Sequence, residues 1–244
     1  MSEIGTFCRA DRLRLATLFQ SSDETRYYLN GVYIEAMDDG VRLVATDGHR
    51  MAVFRDEAAF TCAPCIVSLP KAARTAIKSV KGREFVWFGI IGQHDGTGRH
   101  EARIVDGTEG MDSMEEIQAA MLDMTNPAVI WAGAVELIDG TYPEFEQAIP
   151  AYVGDAGAPG TFQSRYLAPF VEVAQDCAGK RGPISLHSDN PSGPALVQCE
   201  RKDFVGVLMP MRADDGALER DGALLRPPVW ARARGQRAPE AEAA

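Results

Sequence analysis

The sequence lacks the features that would place the chain in a membrane or in an export pathway. Its 244 residues contain no run of about 18 apolar side chains, which is the length a membrane-spanning helix needs. The first residues, Met-Ser-Glu-Ile-Gly-Thr, have neither the basic nor the apolar region of a signal peptide. We therefore expect a cytoplasmic protein that makes no membrane contact.

Cysteine is scarce and irregularly placed. The five cysteines are an odd number at uneven spacing, which suits a reduced compartment better than a disulfide framework. Cys62 and Cys65 have a metal-binding spacing, but neither a second such pair nor a paired-histidine motif accompanies them. We expect no metal and no other cofactor, and we interpret the two thiols as the entry to a strand.

Motifs of catalysis are also missing. The chain has no Gly-x-Ser-x-Gly and no phosphate-binding loop. Asp47 and His49 stand two residues apart in a segment with strand rhythm, so their side chains should point the same way and not towards a placed nucleophile. We expect no catalytic residues and a non-enzymatic function.

Positive charge is in deficit, with 25 Lys and Arg against 35 Asp and Glu and a formal net charge of -10. Taken alone, this balance argues against nucleic-acid binding, because neutralising phosphates requires concentrated cations. The field near a surface depends on the local distribution, however, and not on the total.

That distribution is uneven in the segment 71–80, which predicts an amphipathic helix. At 100° per residue one side of it is apolar and the other carries only cations, namely Lys71, Arg74, Lys78 and Lys81. A helix predicted over residues 9–20 adds positive charge at Arg9, Arg12 and Arg14, diluted by Asp11. A solvated helix face is the alternative interpretation of the stripe.

The order of predicted elements recurs along the chain. Residues 32–45 predict a β-hairpin around an Asp-Gly turn, following the helix at 9–20. Residues 65–91 predict strand, helix and strand again. A third copy begins at residue 161, with a helix over 164–178 and strands near 184–187, 195–200 and 204–209. Pro169 marks the true start of this helix or a kink in it.

Two regions fall outside the repeat. Residues 92–128 are predicted to interrupt the second copy as a loop and one short helix, with an apolar stripe at Met114, Ile117, Met121 and Met124. This stripe either packs on its own sheet or binds a partner. Residues 213–244 predict a weakly structured tail, because polar and Pro-containing segments leave few apolar anchors.

Four segments in order resemble one family, the bacterial DNA polymerase III beta sliding clamps. The most recognisable runs from Val44 to Met51 as Val-Ala-Thr-Asp-Gly-His-Arg-Met. The others are Arg26 to Gly31, Ile138 to Phe145, and Val207 to Arg212. Residues 1–150 resemble the middle domain of the family with an insertion at about 92–128, and residues 151–212 resemble the second half of its last domain.

The resemblance implies an α+β clamp fold, built of repeated β-α-β-β-β half-units with helices inside a ring and sheets outside. It implies a processivity factor that encircles duplex DNA without sequence preference and tethers DNA polymerase and the clamp loader through short linear motifs. The DNA-facing residues would be Arg9, Arg12, Arg14, Lys71, Arg74, Lys78 and Lys81.

The resemblance also implies a pocket for partner peptides. Its walls would be Leu29, Thr46, Gly48, His49, Arg50, Met51, Pro150, Leu196, Val207, Met209, Pro210, Met211 and Arg212. Three half-units per chain predict a homo-oligomer, in which four copies would restore the twelve half-units of a family ring. The alternative is a clamp mimic, which binds clamp partners or the loader and inhibits replication without enclosing DNA.

Overall fold

The strands of the described chain form one antiparallel sheet, which includes both the first and the last of them. The computed structural model describes residues 4–83, 85–107, 113–123, 125–150, 160–190 and 192–211. Within these residues the sheet has 12 strands. Of the predicted features, Arg212 and the tail at 213–244 lie outside the described residues, as do Met124 and the side chain of Met114.

The first unit, residues 4–56, contains one strand, one helix and three further strands. Val32 and Ile34 alternate with more exposed residues, and Gly40 turns the chain with a φ of 113° that favours glycine. The predicted hairpin is therefore confirmed. The elements are β1 (Ile4–Arg9), α1 (Ala10–Ala16), a 3₁₀ helix (Glu24–Leu29), β2 (Val32–Met37), β3 (Gly40–Thr46) and β4 (Arg50–Asp56).

The second unit, residues 65–137, follows a short edge strand. Its helix buries Ala73 and Ile77 and begins directly after Pro70, as the periodicity predicts. The elements are β5 (Phe60–Thr61), β6 (Cys65–Ser68), α2 (Lys71–Ser79), β7 (Val86–Ile91), β8 (Gly98–Asp106), α3 (Met114–Leu122) and β9 (Val129–Leu137). A 3₁₀ helix (Phe145–Ala148) comes after it.

The third unit, residues 160–208, has one helix and three strands. Pro169 lies in the first turn of that helix, where its missing N–H costs nothing, and so, of the two predicted alternatives, it marks the start of the helix and not a kink. The elements are a 3₁₀ helix (Ser164–Tyr166), α4 (Ala168–Ala178), a 3₁₀ helix (Gly179–Arg181), β10 (Ser185–His187), β11 (Ala195–Gln198) and β12 (Phe204–Leu208).

The sheet order is β10-β11-β12-β4-β3-β2-β6-β9-β8-β7-β1-β5. In the first two units, the strand that precedes the main helix lies beside the other unit, since β1 precedes α1 and pairs with β7, and β6 precedes α2 and pairs with β2. The third unit joins the first through β12 and β4. Each unit thus depends on its neighbour to complete the sheet.

The helices cover the two faces of the sheet unequally. Buried side chains of α1, α2 and α4 form one continuous core with alternate residues of the strands. We call this the helix side and the opposite surface the outer face. The helix α3 lies on the outer face, where Ile117 and Met121 pack against Phe7 and Trp87.

The burial of α3 decides between the two interpretations of its apolar stripe. Ile117 is 1% exposed and Met121 is fully buried. The Sδ atom of Met121 lies so close to Gly89 that a Cβ at that position would clash with it. The prediction that the stripe packs on its own sheet is confirmed at these two positions.

The prediction of a loop and short helix over 92–128 is wrong for residues 98–106. These residues form β8, which pairs with β7 along one edge and β9 along the other. The sequence did not predict this strand because polar residues interrupt its apolar alternation. One of them, Arg103, is buried in the structure, where it donates to the Met121 carbonyl and to Glu101. A position that looks solvated in the sequence is thus a satisfied interior one, and the interruption lies between β8 and β9.

Candidate functional site

Four predicted pocket residues form one row across four adjacent strands. The register pairs Leu196 with Val207, Val207 with Met51, and Met51 with Thr46. Directly paired residues project from the same face of a sheet. The third unit therefore brings its pocket residues beside those of the first, on the outer face.

The row lies beside an apolar cluster that contains a fifth predicted residue. Leu29, Met51 and Val207 are 4%, 4% and 1% exposed, and they pack in this cluster with Tyr142 and Phe145. Leu29, Met51 and Val207 therefore form the buried floor of the predicted pocket. Thr46 and Leu196, at the two ends of the row, are more accessible.

Sequence reasoning missed the aromatic part of this floor. The rings of Tyr33 and Tyr142 stack with centroids 4.7 Å apart, and Phe145 meets both at an angle. Burial, followed by the neighbouring Glu35, raises the pKa of Tyr33 to about 12, so its ring is uncharged at neutral pH. The signal was present, because Tyr142 and Phe145 belong to a segment that carried the family resemblance.

Met209 lies just past the end of β12, two residues beyond Val207. Its backbone N–H donates to the His49 carbonyl at 2.8 Å, which continues the β12 to β4 pairing past the last strand residue. Met209 is 39% exposed, so its apolar side chain is accessible to a partner. Pro210 follows it, and Pro150 is half-buried next to Ile149, which packs on the aromatic cluster.

The turn between β3 and β4 is fixed by its own side chains. Asp47 accepts from the backbone N–H groups of His49 and Arg50, at 2.9 and 3.1 Å. Gly48 has a φ of 88°, and a Cβ there would come within 2.6 Å of an Arg26 nitrogen. Asp47 therefore acts as a turn-forming residue in this segment.

The structure does not bring His49 and Arg50 into the apolar row. The His49 ring stacks on Tyr166 with centroids 5.1 Å apart, and the Arg50 guanidinium lies over the rings of Tyr166 and Phe19. Arg50 also donates to the Leu18 carbonyl at 3.1 Å. Both side chains face a cleft of about 480 Å³ that is also lined by Asp23, Arg26, Asp47 and Arg165.

The cationic stripe on α2 is exposed as the periodicity predicts. Lys71, Arg74, Lys78 and Lys81 are all exposed on the helix side. Arg74 donates its Nε–H to the Leu69 carbonyl at 2.8 Å, which holds the side chain against the start of the helix. Among the described residues, no ion pair within 4.0 Å is formed by the three lysines.

The cations of α1 and its flank are placed differently. Arg14 is 3% exposed and forms ion pairs with Glu172 and Asp176 of α4. Arg12 pairs with Asp11 and Asp203, and the Arg9 guanidinium lies over the Trp87 ring at 4.4 Å. The expectation that Arg14 faces DNA does not fit this burial, because its charge is already neutralised within the protein.

Neither a metal centre nor a spanning helix emerges from the parts of the chain that the structure describes. In those parts, no three His, Cys, Asp or Glu side chains are placed to hold a metal ion. No described helix is long and apolar enough to cross a membrane. Cys65 is buried at the start of β6, as expected for a thiol entering a strand.

Comparison with known structures defines the fold as that of a DNA polymerase sliding clamp. The Pseudomonas aeruginosa sliding clamp superposes with a TM-score of 0.54 at 17% identity, covering 84% of this chain and 65% of that one. The Caulobacter crescentus beta sliding clamp gives 0.54 at 21% identity, covering 85% and 65%.

Sequence comparison points to the same proteins. The model of the DNA polymerase III beta subunit central domain matches residues 12–70. The beta sliding clamp of Caulobacter vibrioides is 49% identical over 47 residues, 18% of this chain and 12% of that protein. That of Pseudomonas putida is 26% identical over 149 residues, 59% of this chain and 34% of that protein. The chain is thus similar to the beta sliding clamps over part of its length, and the matched segments span 12% and 34% of these two relatives.

Proposed function

We propose that the protein is a clamp-like DNA replication factor that assembles with further copies around duplex DNA and tethers DNA polymerase and the clamp loader. The homology supports the class. Two surfaces on opposite faces of one sheet support the mechanism: a cationic helix on the helix side and an apolar row on the outer face. A clamp needs both at once, since one face must meet DNA while the other holds partners.

The observation that carries the proposal is the stripe on α2. Its lysines extend from a helix that is anchored by Ala73 and Ile77 and carries no acidic residue. Unpaired, flexible ammonium groups suit transient phosphate contacts that do not read sequence. Such contacts permit sliding, because moving along the backbone exchanges one phosphate for an equivalent one.

Partner tethering would use the apolar row. Short linear motifs insert apolar anchors into hydrophobic grooves, where a few buried side chains dominate the binding free energy. Met51 and Val207 provide the floor, and the exposed Met209 provides an adaptable flank. Pro210 is proposed to continue that flank.

The DNA test compares two triple variants with the same change of charge. Lys71→Glu, Lys78→Glu and Lys81→Glu are combined in one variant, and Arg55→Glu, Arg99→Glu and Lys202→Glu in the other. Arg74 is left unchanged because of its bond to Leu69. Retention on circular duplex DNA, with the clamp loader of the host present, is measured before and after linearisation.

We expect the wild type and the second triple variant to stay on circles and to leave linear DNA through its ends. The α2 variant should lose retention on circular DNA as well, because each lost cation removes a phosphate contact. Equal retention by the two triple variants would contradict the DNA-facing role of α2. Equal wild-type retention on circles and linear DNA would contradict encirclement.

The second candidate function, a clamp mimic, is favoured by charge. The formal net charge is -10, and Arg14 is neutralised inside the protein. A mimic would bind linear-motif peptides with the apolar row but would show no retention on circular DNA at any salt concentration. Peptide binding combined with that result would replace the first proposal by the second.

A further inference from the structure

The third unit leaves β10 at the end of the sheet. Within the described residues, β10 pairs with β11 on one side, and no strand lies on the other. An open edge presents unpaired backbone N–H and C=O groups and is a template for another strand. The rest of the chain shows what fills the equivalent position.

In the first two units, the strand after the helix is covered by the strand that precedes the helix of the other unit. Val32 and Ile34 of β2 pair with Val67 and Cys65 of β6. In the same way, β7 pairs with β1. The two contacts are reciprocal, so each unit gives one strand to its neighbour and receives one.

Within the part of the chain that the structure describes, the third unit has both halves of this exchange unfilled. The strand after its helix is β10, which has the open edge. Residues 160–163 precede its helix, and Gln163 has the extended backbone angles of φ -73° and ψ 121° that also precede α1 and α2. No described strand pairs with residues 160–163. The unit therefore carries one unused donor segment and one unused acceptor edge.

The surface of α4 agrees with a missing neighbour. Its Glu172 and Asp176 face α1 through Arg14. Val171, the residue before Glu172, is 41% exposed, and Gln175, one turn after Val171, is exposed as well. In the first two units the corresponding helices contact each other, since α1 packs against α2. Val171 and Gln175 thus form an exposed, uncharged part of α4 on which a second helix can pack.

We infer that a second copy of this chain completes the third unit by reciprocal strand exchange. Residues 160–163 of each copy pair with β10 of the other, and the two α4 helices meet near Val171. Under two-fold symmetry, residues 160–163 of each copy pair with the β10 edge of the other copy. The donor segment and the acceptor edge are then used in both copies, because each copy carries one of each. A foreign strand would fill the acceptor alone and leave residues 160–163 unpaired.

The inference rests on the self-assembly in the proposed function, but its test combines mass and hydrogen exchange on the full chain without DNA, whereas retention on circular DNA tests the clamp function. Val171→Lys places a charge in the proposed helix contact. Met37→Lys is the matched control, since Met37 is 39% exposed on the first unit. Light scattering across micromolar concentrations gives the mass, and exchange gives the protection of amides in residues 160–163 and 185–187.

We expect wild type and Met37→Lys to have twice the chain mass with both segments protected, and Val171→Lys to be a monomer with both segments exchanging. A monomeric wild type would overturn the inference. A monomeric wild type with a protected β10 would do so in favour of cover by the chain's own residues 212–244. A wild-type dimer whose two segments exchange freely would overturn it in favour of another interface.

Discussion

Arg201 should be the most sensitive charged position of the fold, because it ties the third unit to the first. Its guanidinium is 10% exposed and pairs with Asp11 of α1, with Asp176 of α4 and with Asp203. Burial favours the neutral form, but Asp11 and Asp203 outweigh it and raise the pKa of Arg201. The group is a buried cation shared by three anions.

Replacing Arg201 by Met removes the charge and retains most of the apolar stem. Breaking a buried pair from one side costs about 3–5 kcal/mol, since the other side is left charged and uncompensated. Arg12 and Arg14 still serve some of the carboxylates, so we expect a loss of about 3 kcal/mol. Urea unfolding at neutral pH measures the loss.

The loss should shrink in acid. Burial alone would raise the pKa of Asp11, but Arg201 and Arg12 outweigh it and hold that pKa below its ordinary 3.8. A carboxylate with a lowered pKa stabilises the fold fully above pH 3.8, and this contribution disappears as the pH falls through the lower, folded-state value. The wild type and the Arg201→Met variant should therefore converge below pH 3.8.

Arg83→Met is the control, because Arg83 is 53% exposed and pairs with Asp106 at the surface. It should change the free energy of unfolding by less than about 1 kcal/mol. If Arg201→Met costs no more than Arg83→Met, the ion network does not hold the third unit in place.

Two further predictions concern the outer face. Met121→Ala should lower the free energy of unfolding by about 2–5 kcal/mol, because it leaves a cavity against Gly89 and Trp87, and chemical denaturation will show whether α3 is part of the core or only rests on it. Met209→Ala should weaken binding of an apolar linear-motif peptide from a micromolar-class affinity without changing the unfolding midpoint, and an unchanged titration would remove Met209 from the pocket.

Local sequence determined the features that depend on near neighbours. The hairpin around Gly40 follows from alternation and turn chemistry over about ten residues. The two sides of α2 follow from its helical period, so the exposed Lys71 and Lys78 could be named from sequence. The fixed φ of Pro169 limited the sequence to two alternatives, a helix start or a kink, and the structure shows the start.

Tertiary structure decided the features that depend on distant partners. Val207 contacts Met51 because β12 pairs with β4. The register between strands that lie so far apart in the sequence is set by the whole sheet. The period of α1 does not show that Arg14 is buried, since its partners Glu172 and Asp176 belong to α4. Arg103 likewise looks like a surface residue in the sequence, but in the structure it is buried and donates to the Met121 carbonyl. A charge looks solvated in a sequence whenever the group that neutralises it is far along the chain, and only folding brings that group within hydrogen-bonding distance.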